Sequence, residues 1–260
     1  MLLTTLIFLI ATLAGGGLFM SLGQRGLTNL PLILAFGGSF IIGMCFLHLV
    51  PEAFASNSNA GIFVLVGFVI QLVLEFLSKG IEHGHHHPHE HTPHCQTKSV
   101  WQRIPWLAFL SLALHAALES MPVLDHHHAH GHEGHVHGPL SLDVIDWNLV
   151  IGLVLHKVPV AMVLMAMMVG EHLPRTISWL LLVVFGFSPS LGMIVYDWVF
   201  HNLAENTALQ FSGAMQACVV GILLHIGTVV LFEAGEGHQF QTNKMLAIGV
   251  GLGLSIATFS

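Results

Sequence analysis

Hydrophobic and polar positions follow one another along this chain in long blocks rather than with a short period. Eight apolar runs have close to the roughly 20 residues that a helix needs to span a bilayer. They cover residues 1–22, 30–51, 60–78, 104–124, 147–170, 176–198, 209–232 and 243–260. The pattern predicts an all-α integral membrane protein with eight transmembrane helices, which form a single transmembrane domain over residues 1–260.

Two of the polar connections are rich in histidine. The stretch EHGHHHPHEHTPHC lies in the predicted loop 80–103, and DHHHAHGHEGHVHG lies in the predicted loop 125–146. Neutral imidazole binds Zn, Cu, Ni and Fe(II), but irregular spacing makes such tracts loose metal ligands. The tracts therefore act either as polar loops that buffer metal or as an essential part of transport. Their candidate accessory ligands are His85, His86, His87, His126, His127 and His128.

The composition agrees with a membrane location. The chain has 260 residues, of which 54% are hydrophobic and only 8% are charged, whereas soluble domains carry about 25% charged residues. A net charge of −7 and the lack of a basic cluster exclude nucleic acid as a partner. The lipid bilayer is the expected surrounding, and the sequence leaves a homodimer open.

Basic residues predict the orientation of the helices. Five of the seven lysines and arginines fall in the first, third and fifth connections, and a sixth, Lys244, lies at the edge of the seventh. None falls in the second, fourth or sixth. Because basic connections remain in the cytoplasm, both termini are expected outside. The loop 80–103 is then cytoplasmic, and the loop 125–146 is outer. The six residues are Arg25, Lys79, Lys98, Arg103, Arg175 and Lys244.

The fourth and fifth helices carry ionisable side chains inside apolar runs. His115 and Glu119 are four residues apart, so they share one face of the fourth helix and can ligate one ion together. His156 lies at a similar depth in the fifth helix. Ionisable groups at mid-membrane depth are costly and usually serve a function. We therefore predict a metal site formed by His115, Glu119 and His156.

A lysine and two prolines accompany this site. Lys157 cannot ligate a metal while it is protonated, so a salt bridge to Glu119 or to another buried acid is its alternative role. Pro159 removes a backbone hydrogen bond and is expected to kink the fifth helix. Ser188 and Pro189 are expected to break the sixth helix.

Two further polar positions permit more than one interpretation. His48 and Glu52 repeat the His-x-x-x-acid spacing at the outer end of the second helix, where an interfacial role and a metal-access pathway are equally open. His225 lies alone in the seventh helix, and a helix–helix hydrogen bond is its simplest role. Glycines of the first, second and eighth helices are expected to allow close packing, namely Gly15 to Gly17, Gly37, Gly38, Gly249, Gly251 and Gly253.

Several motifs taken together resemble the ZIP family of divalent metal transporters. They are HLVPEA in the second helix, HAALES in the fourth, HKVP in the fifth, SPSLG in the sixth and the His-rich third connection. Their order covers essentially the whole chain, and the fifth helix is similar to the branch that reads H-K-x-P. The resemblance implies an inverted-repeat bundle and alternating access without ATP. Helices one, four, five and six would move against two, three, seven and eight.

The chain departs from the usual ZIP motifs, which read H-N-x-x-D-G in the fourth helix and H/Q-D/E-x-P-E/H in the fifth. Ala116 stands in the place of the asparagine, and Glu119 replaces the aspartate. Lys157 replaces an acid, and Val160 replaces the ligand after the proline. Ser188 stands where some members carry an acid.

These departures imply a single-metal site of His115, Glu119 and His156. Lys157 would act as an internal counter-charge near the position of the missing second metal, with Ala116 and Ser188 lining the site. The ligand set favours zinc as the transported metal, with Fe, Mn, Co and Ni as further candidates. No cofactor is required, and a bacterial inner (plasma) membrane is the expected location.

Two other classes of protein remain open. An intramembrane zinc hydrolase would also hold His and acid residues in a helical bundle, but it needs an open water position and usually a general base. No H-E-x-x-H motif is present. A metal-binding membrane sensor could use the histidine tracts without transport, but it would not need buried ligands on adjacent helices. The sequence therefore favours a transporter over an enzyme.

Overall fold

The structure is a computed structural model that describes residues 1–23, 30–78, 99–124, 145–232 and 238–259. Within these ranges, eight helical segments are long and apolar enough to cross a membrane. Their bounds are α1 Leu2–Leu22, α2 Leu30–Ser56, α3 Ala60–Ser78, α4 Trp106–Glu119, α5 Trp147–Gly170, α6 Arg175–Asn202, α7 Glu205–Phe232 and α8 His238–Phe259. The predicted all-α membrane fold is confirmed.

The helices match the apolar runs, with differences at their ends. Helix α2 continues to Ser56, α7 begins at Glu205 and α8 begins at His238, because polar residues extend each helix beyond its apolar core. A short helix, Val100–Arg103, lies inside the predicted loop 80–103 and begins with a capping box at Ser99. Residues 80–98 and 125–144 of the two predicted loops lie outside the described residues.

Helix α2 contains a π-helical turn before its proline. Over Cys45–Leu49 the helix widens, and the backbone N–H of Val50 donates to the carbonyl oxygen of Cys45, five residues earlier. The ring of Pro51 would clash with the carbonyl of Leu47 in a regular α-helix, and Pro51 has no N–H to donate. The wider turn accommodates the proline without ending the helix.

Pro159 and Pro189 do not interrupt the helices that contain them. Helix α5 continues through Pro159, and α6 continues through Pro189 from Arg175 to Asn202. The expected break at Ser188 and Pro189 is therefore wrong. Packing against neighbouring helices holds α6 together: the Ser120 hydroxyl, which follows α4, donates to the carbonyl of Pro189 at 2.8 Å.

Helix α5 is the most enclosed of the eight, whereas α3 and α8 lie at the periphery. The methionines of its second half are buried in a large hydrophobic cluster inside the bundle: Met162, Met165, Met167 and Met168. A central helix that is apolar on every side needs no lipid-facing surface. This position places the histidine and lysine of α5 in the interior of the bundle.

Helix pairing follows the inverted repeat that the motifs imply. The most extensive pairs are α3/α7, α2/α8 and α2/α7, followed by α1/α5, α1/α6 and α4/α6. The inverted repeat relates α1 to α6, α2 to α7, α3 to α8 and α4 to α5. Under this relation the pair α3/α7 corresponds to α2/α8, and the pair α1/α5 corresponds to α4/α6. All six pairs lie within one of two groups: α1, α4, α5 and α6, or α2, α3, α7 and α8.

Glycine permits close approach at equivalent places in the first group. Gly15 of α1 lies against the carbonyl oxygen of Val158 in α5, and Gly192 of α6 lies against the carbonyl oxygen of Ala117 in α4. The expectation that the glycines of the eighth helix allow close packing is wrong for Gly249, where an added Cβ would meet no described atom within 4 Å. It is also wrong for Gly253, which has equally open surroundings.

We predict that Gly192→Val destabilises the protein, because its Cβ would collide with the Ala117 carbonyl. Overpacking of this kind costs about 1–3 kcal/mol. The matched control is Gly249→Val, which adds the same side chain in open space. Thermal unfolding in detergent measures both, and equal melting temperatures for the two variants would contradict the α4/α6 contact.

Candidate metal centre

The structure brings together the three residues that the sequence predicts as ligands. His115 Nε2 lies 3.0 Å from Glu119 Oε2 on the same face of α4. The ring of His156 from α5 faces that of His115 edge-on, with 6.0 Å between centroids. One ligand atom from each of the three residues lies within 4.8 Å of the others, and all three side chains are buried. This spacing leaves room for one metal ion between the two helices.

The helical turns that carry His115 and His156 are packed against neighbouring helices through the same kind of glycine–carbonyl contact. Ala117 follows His115 by two residues, and Val158 follows His156 by two residues. The carbonyl oxygens of Ala117 and Val158 are those against which the glycines of α6 and α1 pack. The backbone next to His115 and the backbone next to His156 are therefore packed in the same way in the two halves of the inverted repeat.

A glutamine of α3 orients one of the histidines. Nδ1 of His115 lies 2.8 Å from Oε1 of the buried Gln71. Because an amide oxygen only accepts hydrogen bonds, Nδ1 carries the proton, and the lone pair of Nε2 points towards Glu119. Such outer partners set the tautomer of metal-binding histidines. Gln71 was not predicted as a site residue, although a glutamine inside an apolar run is a visible signal.

Lys157 lies beside the three candidate ligands, fully enclosed. Its Nζ is 3.9 Å from Glu119 Oε1, so the carboxylate faces His115 with one oxygen and the ammonium with the other. The ring centroids of Phe185 in α6 and Phe8 in α1 lie 4.8 Å and 5.8 Å from Nζ. Aromatic faces attract a cation at these distances. The ion pair with Glu119, one of the predicted roles, is present.

The positions where this chain departs from the ZIP motifs are mostly apolar in their surroundings. Ala116 and Val160 belong to the same buried hydrophobic cluster. Ser188 is buried on α6, and among the described contacts no hydrogen bond joins it to the three candidate ligands. Neither Ala116 nor Val160 can replace the missing ligand atoms.

Two other polar groups lie apart from the centre. His225 of α7 hydrogen-bonds Glu75 of α3 at 2.5 Å and contacts Phe68 edge-on, which fits the helix–helix role. His48 and Glu52 near the C-terminal end of α2 lie beside Asp146, which precedes α5. Asp146 was not predicted from the sequence. The histidines predicted as accessory ligands, residues 85–87 and 126–128, lie outside the described residues.

Comparison with known proteins agrees with the motifs. A family model described as ZIP Zinc transporter matches residues 1–156, which is more than half of the chain. No match was found among the curated proteins. The matched range contains His115, Glu119 and His156 and ends immediately before Lys157.

We predict that Gln71→Met lowers metal affinity by about 10–100-fold, the usual effect of losing a partner that orients a ligand. Affinity is measured by competition with a chromogenic chelator. The measurement uses a loop-silent protein, in which serine replaces the histidines of residues 82–95 and 125–138. Gln71→Glu retains an acceptor oxygen and is the matched control. Unchanged affinity in Gln71→Met would contradict an orienting role.

Proposed function

This chain belongs to the ZIP zinc transporter family, and we propose that it carries a divalent transition metal, zinc above others, into the cytoplasm by alternating access. The observation that supports this proposal is the buried group of His115, Glu119 and His156 between α4 and α5. Both histidines lie near the middle of their membrane spans. Membership of a transporter family also favours transport over hydrolysis.

The donor set fits a metal that must bind and leave. Two imidazole nitrogens and one carboxylate oxygen are ligands that zinc accepts, and three protein ligands leave its fourth position open. Fe, Mn, Co and Ni accept the same atoms, so the order of affinities does not choose among them. An incomplete shell lets ligands exchange while the ion moves through the protein.

We propose that the site holds one metal rather than two. The Glu119 oxygen that could bridge to a second ion faces Lys157 instead. Ala116 and Val160 supply no ligand atom in the positions where other members of the family do. The ammonium also compensates the carboxylate when no metal is bound, which lowers the cost of a buried charge in the empty site.

The helix groups support the proposed movement. The three candidate ligands and Lys157 all belong to α4 and α5, in the group that also contains α1 and α6. The contacts of this group with the other four helices are less extensive, chiefly α2/α5 and α3/α4. The hydrogen bond from His115 to Gln71 crosses this boundary. Movement of one group against the other would change access to the site. It would also change the hydrogen bond between Gln71 and His115 at the same time.

The basic connections support an orientation with both termini outside and with the loop 80–103 in the cytoplasm. We propose that the protein lies in the inner (plasma) membrane of a bacterium. Movement of metal into the cytoplasm is then movement from the outer ends of α2 and α5 towards the inner end of the bundle. The proposed movement by alternating access requires no ATP.

We predict that His115→Ala and His156→Ala each reduce zinc uptake into proteoliposomes by about tenfold or more, because each removes a ligand. Deletion of residues 125–138 is the control and should leave most of the uptake. If neither alanine variant lowers uptake while the deletion abolishes it, the buried site is not the transport site.

The charge of Lys157 provides a second prediction. The loop-silent protein should hold one metal in the membrane core, and Lys157→Asp should add a second by converting the counter-charge into a ligand. Lys157→Met, which removes the charge without adding a ligand, is the control and should still hold one. Equilibrium dialysis counts the metal bound to each protein, and the core metal is the part of that count that His115→Ala removes. Two core metals in the loop-silent protein itself would contradict the counter-charge role.

A further inference from the structure

A second group of metal-ligating side chains lies at the outer end of the bundle. Nε2 of His48 is 3.3 Å from Oδ2 of Asp146 and 3.9 Å from Oε2 of Glu52. Ligand atoms from the three residues all lie within 4.8 Å of one another, and each side chain is partly exposed. The group joins α2 to the start of α5, and so joins the two helix groups.

Backbone structure fixes each member of this outer group. His48 lies in the π-helical turn of α2, and Glu52 follows it by four residues. Asp146 caps α5: its Oδ1 accepts the backbone N–H groups of Asn148 and Leu149 at 3.0 Å and 3.1 Å. The cap uses one carboxylate oxygen, so the other is held towards His48.

The outer group opens onto a polar pocket. Glu52 and Asp146 line this pocket together with Tyr196 of α6 and with Ser212 and Gln216 of α7. Gln216 is buried, with 7% of its surface exposed, and its Oε1 has no hydrogen-bond partner among the described residues. A buried amide oxygen without a partner is costly. A cation in the pocket would satisfy it.

We propose that His48, Glu52 and Asp146 form a second binding site for a divalent transition metal, with Gln216 as a neutral oxygen ligand. Two carboxylates and one neutral imidazole carry a charge of −2, which a divalent cation balances. A salt bridge to a protonated His48 would be a partly exposed ion pair, and such pairs contribute little stability. One nitrogen and several oxygens suit Zn, Mn and Fe(II).

This outer site captures metal at the pocket and supplies it to the buried site. The outer site uses fewer imidazoles and is partly exposed, so it binds the ion more loosely and releases it inward. The capture role rests on the proposed function, whereas metal binding at the outer site does not. Asp146 adds the contact with α5, which also carries His156.

The test counts Co²⁺ ions bound to the purified loop-silent protein by equilibrium dialysis. We expect two ions per chain, and one each in His48→Ala, in Asp146→Asn and in His115→Ala. Asp146→Asn retains the helix cap, because asparagine caps as well as aspartate. The matched control is His201→Ala, which breaks a His–acid pair of the same spacing on α6. Among the described residues, this pair is not part of a group of three metal-ligating side chains. Two ions in both His48→Ala and Asp146→Asn would overturn the outer site.

Uptake into proteoliposomes tests the capture role separately. We expect Asp146→Asn to raise the KM for zinc several-fold while kcat stays near the wild-type value. A KM equal to that of the wild type in a variant that has lost one Co²⁺ would overturn capture. If the wild type transports no metal but Asp146→Asn still loses one Co²⁺, the proposed function fails and the outer site stands.

Discussion

Glu119 is a carboxylate enclosed by helices in an apolar bundle, and its charge constrains what surrounds it. One of its oxygens faces His115, and the other faces the Lys157 ammonium. A buried charge without a partner would cost several kcal/mol. Lys157 is held in turn by the aromatic rings of Phe8 and Phe185. The position of this carboxylate thus depends on side chains from α1, α4, α5 and α6 together.

The same constraint separates this chain from the common ZIP motifs. A carboxylate that bridges two metals needs cations on both sides, and here an ammonium takes one of these sides. The side chains that would complete a second metal shell are replaced by Ala116 and Val160, which pack into the hydrophobic core. These substitutions are consistent with one another. With the Lys157 ammonium in place of a second metal, no ligand atoms are needed at positions 116 and 160.

The sequence allowed the membrane spans and the three candidate ligands to be predicted, for clear physical reasons. Apolar length determines a span, and spacing of four residues places His115 and Glu119 on one helical face. Gln71 stands out as a polar residue in an apolar run, but its partner His115 could not be identified from the sequence. The role of Asp146 was not predictable either, because both roles come from contacts between segments distant in sequence. The continuity of α6 through Pro189 was also missed, since neighbouring helices rather than local propensity maintain it.

The central claim is that one metal binds between α4 and α5 with Lys157 beside it. Anomalous diffraction at the zinc edge, from crystals of the loop-silent protein grown with zinc, locates the metal directly. We predict a single peak in the membrane core, at bonding distance from His115, Glu119 and His156. The absence of a peak there, or a pair of peaks bridged by Glu119, would contradict the account.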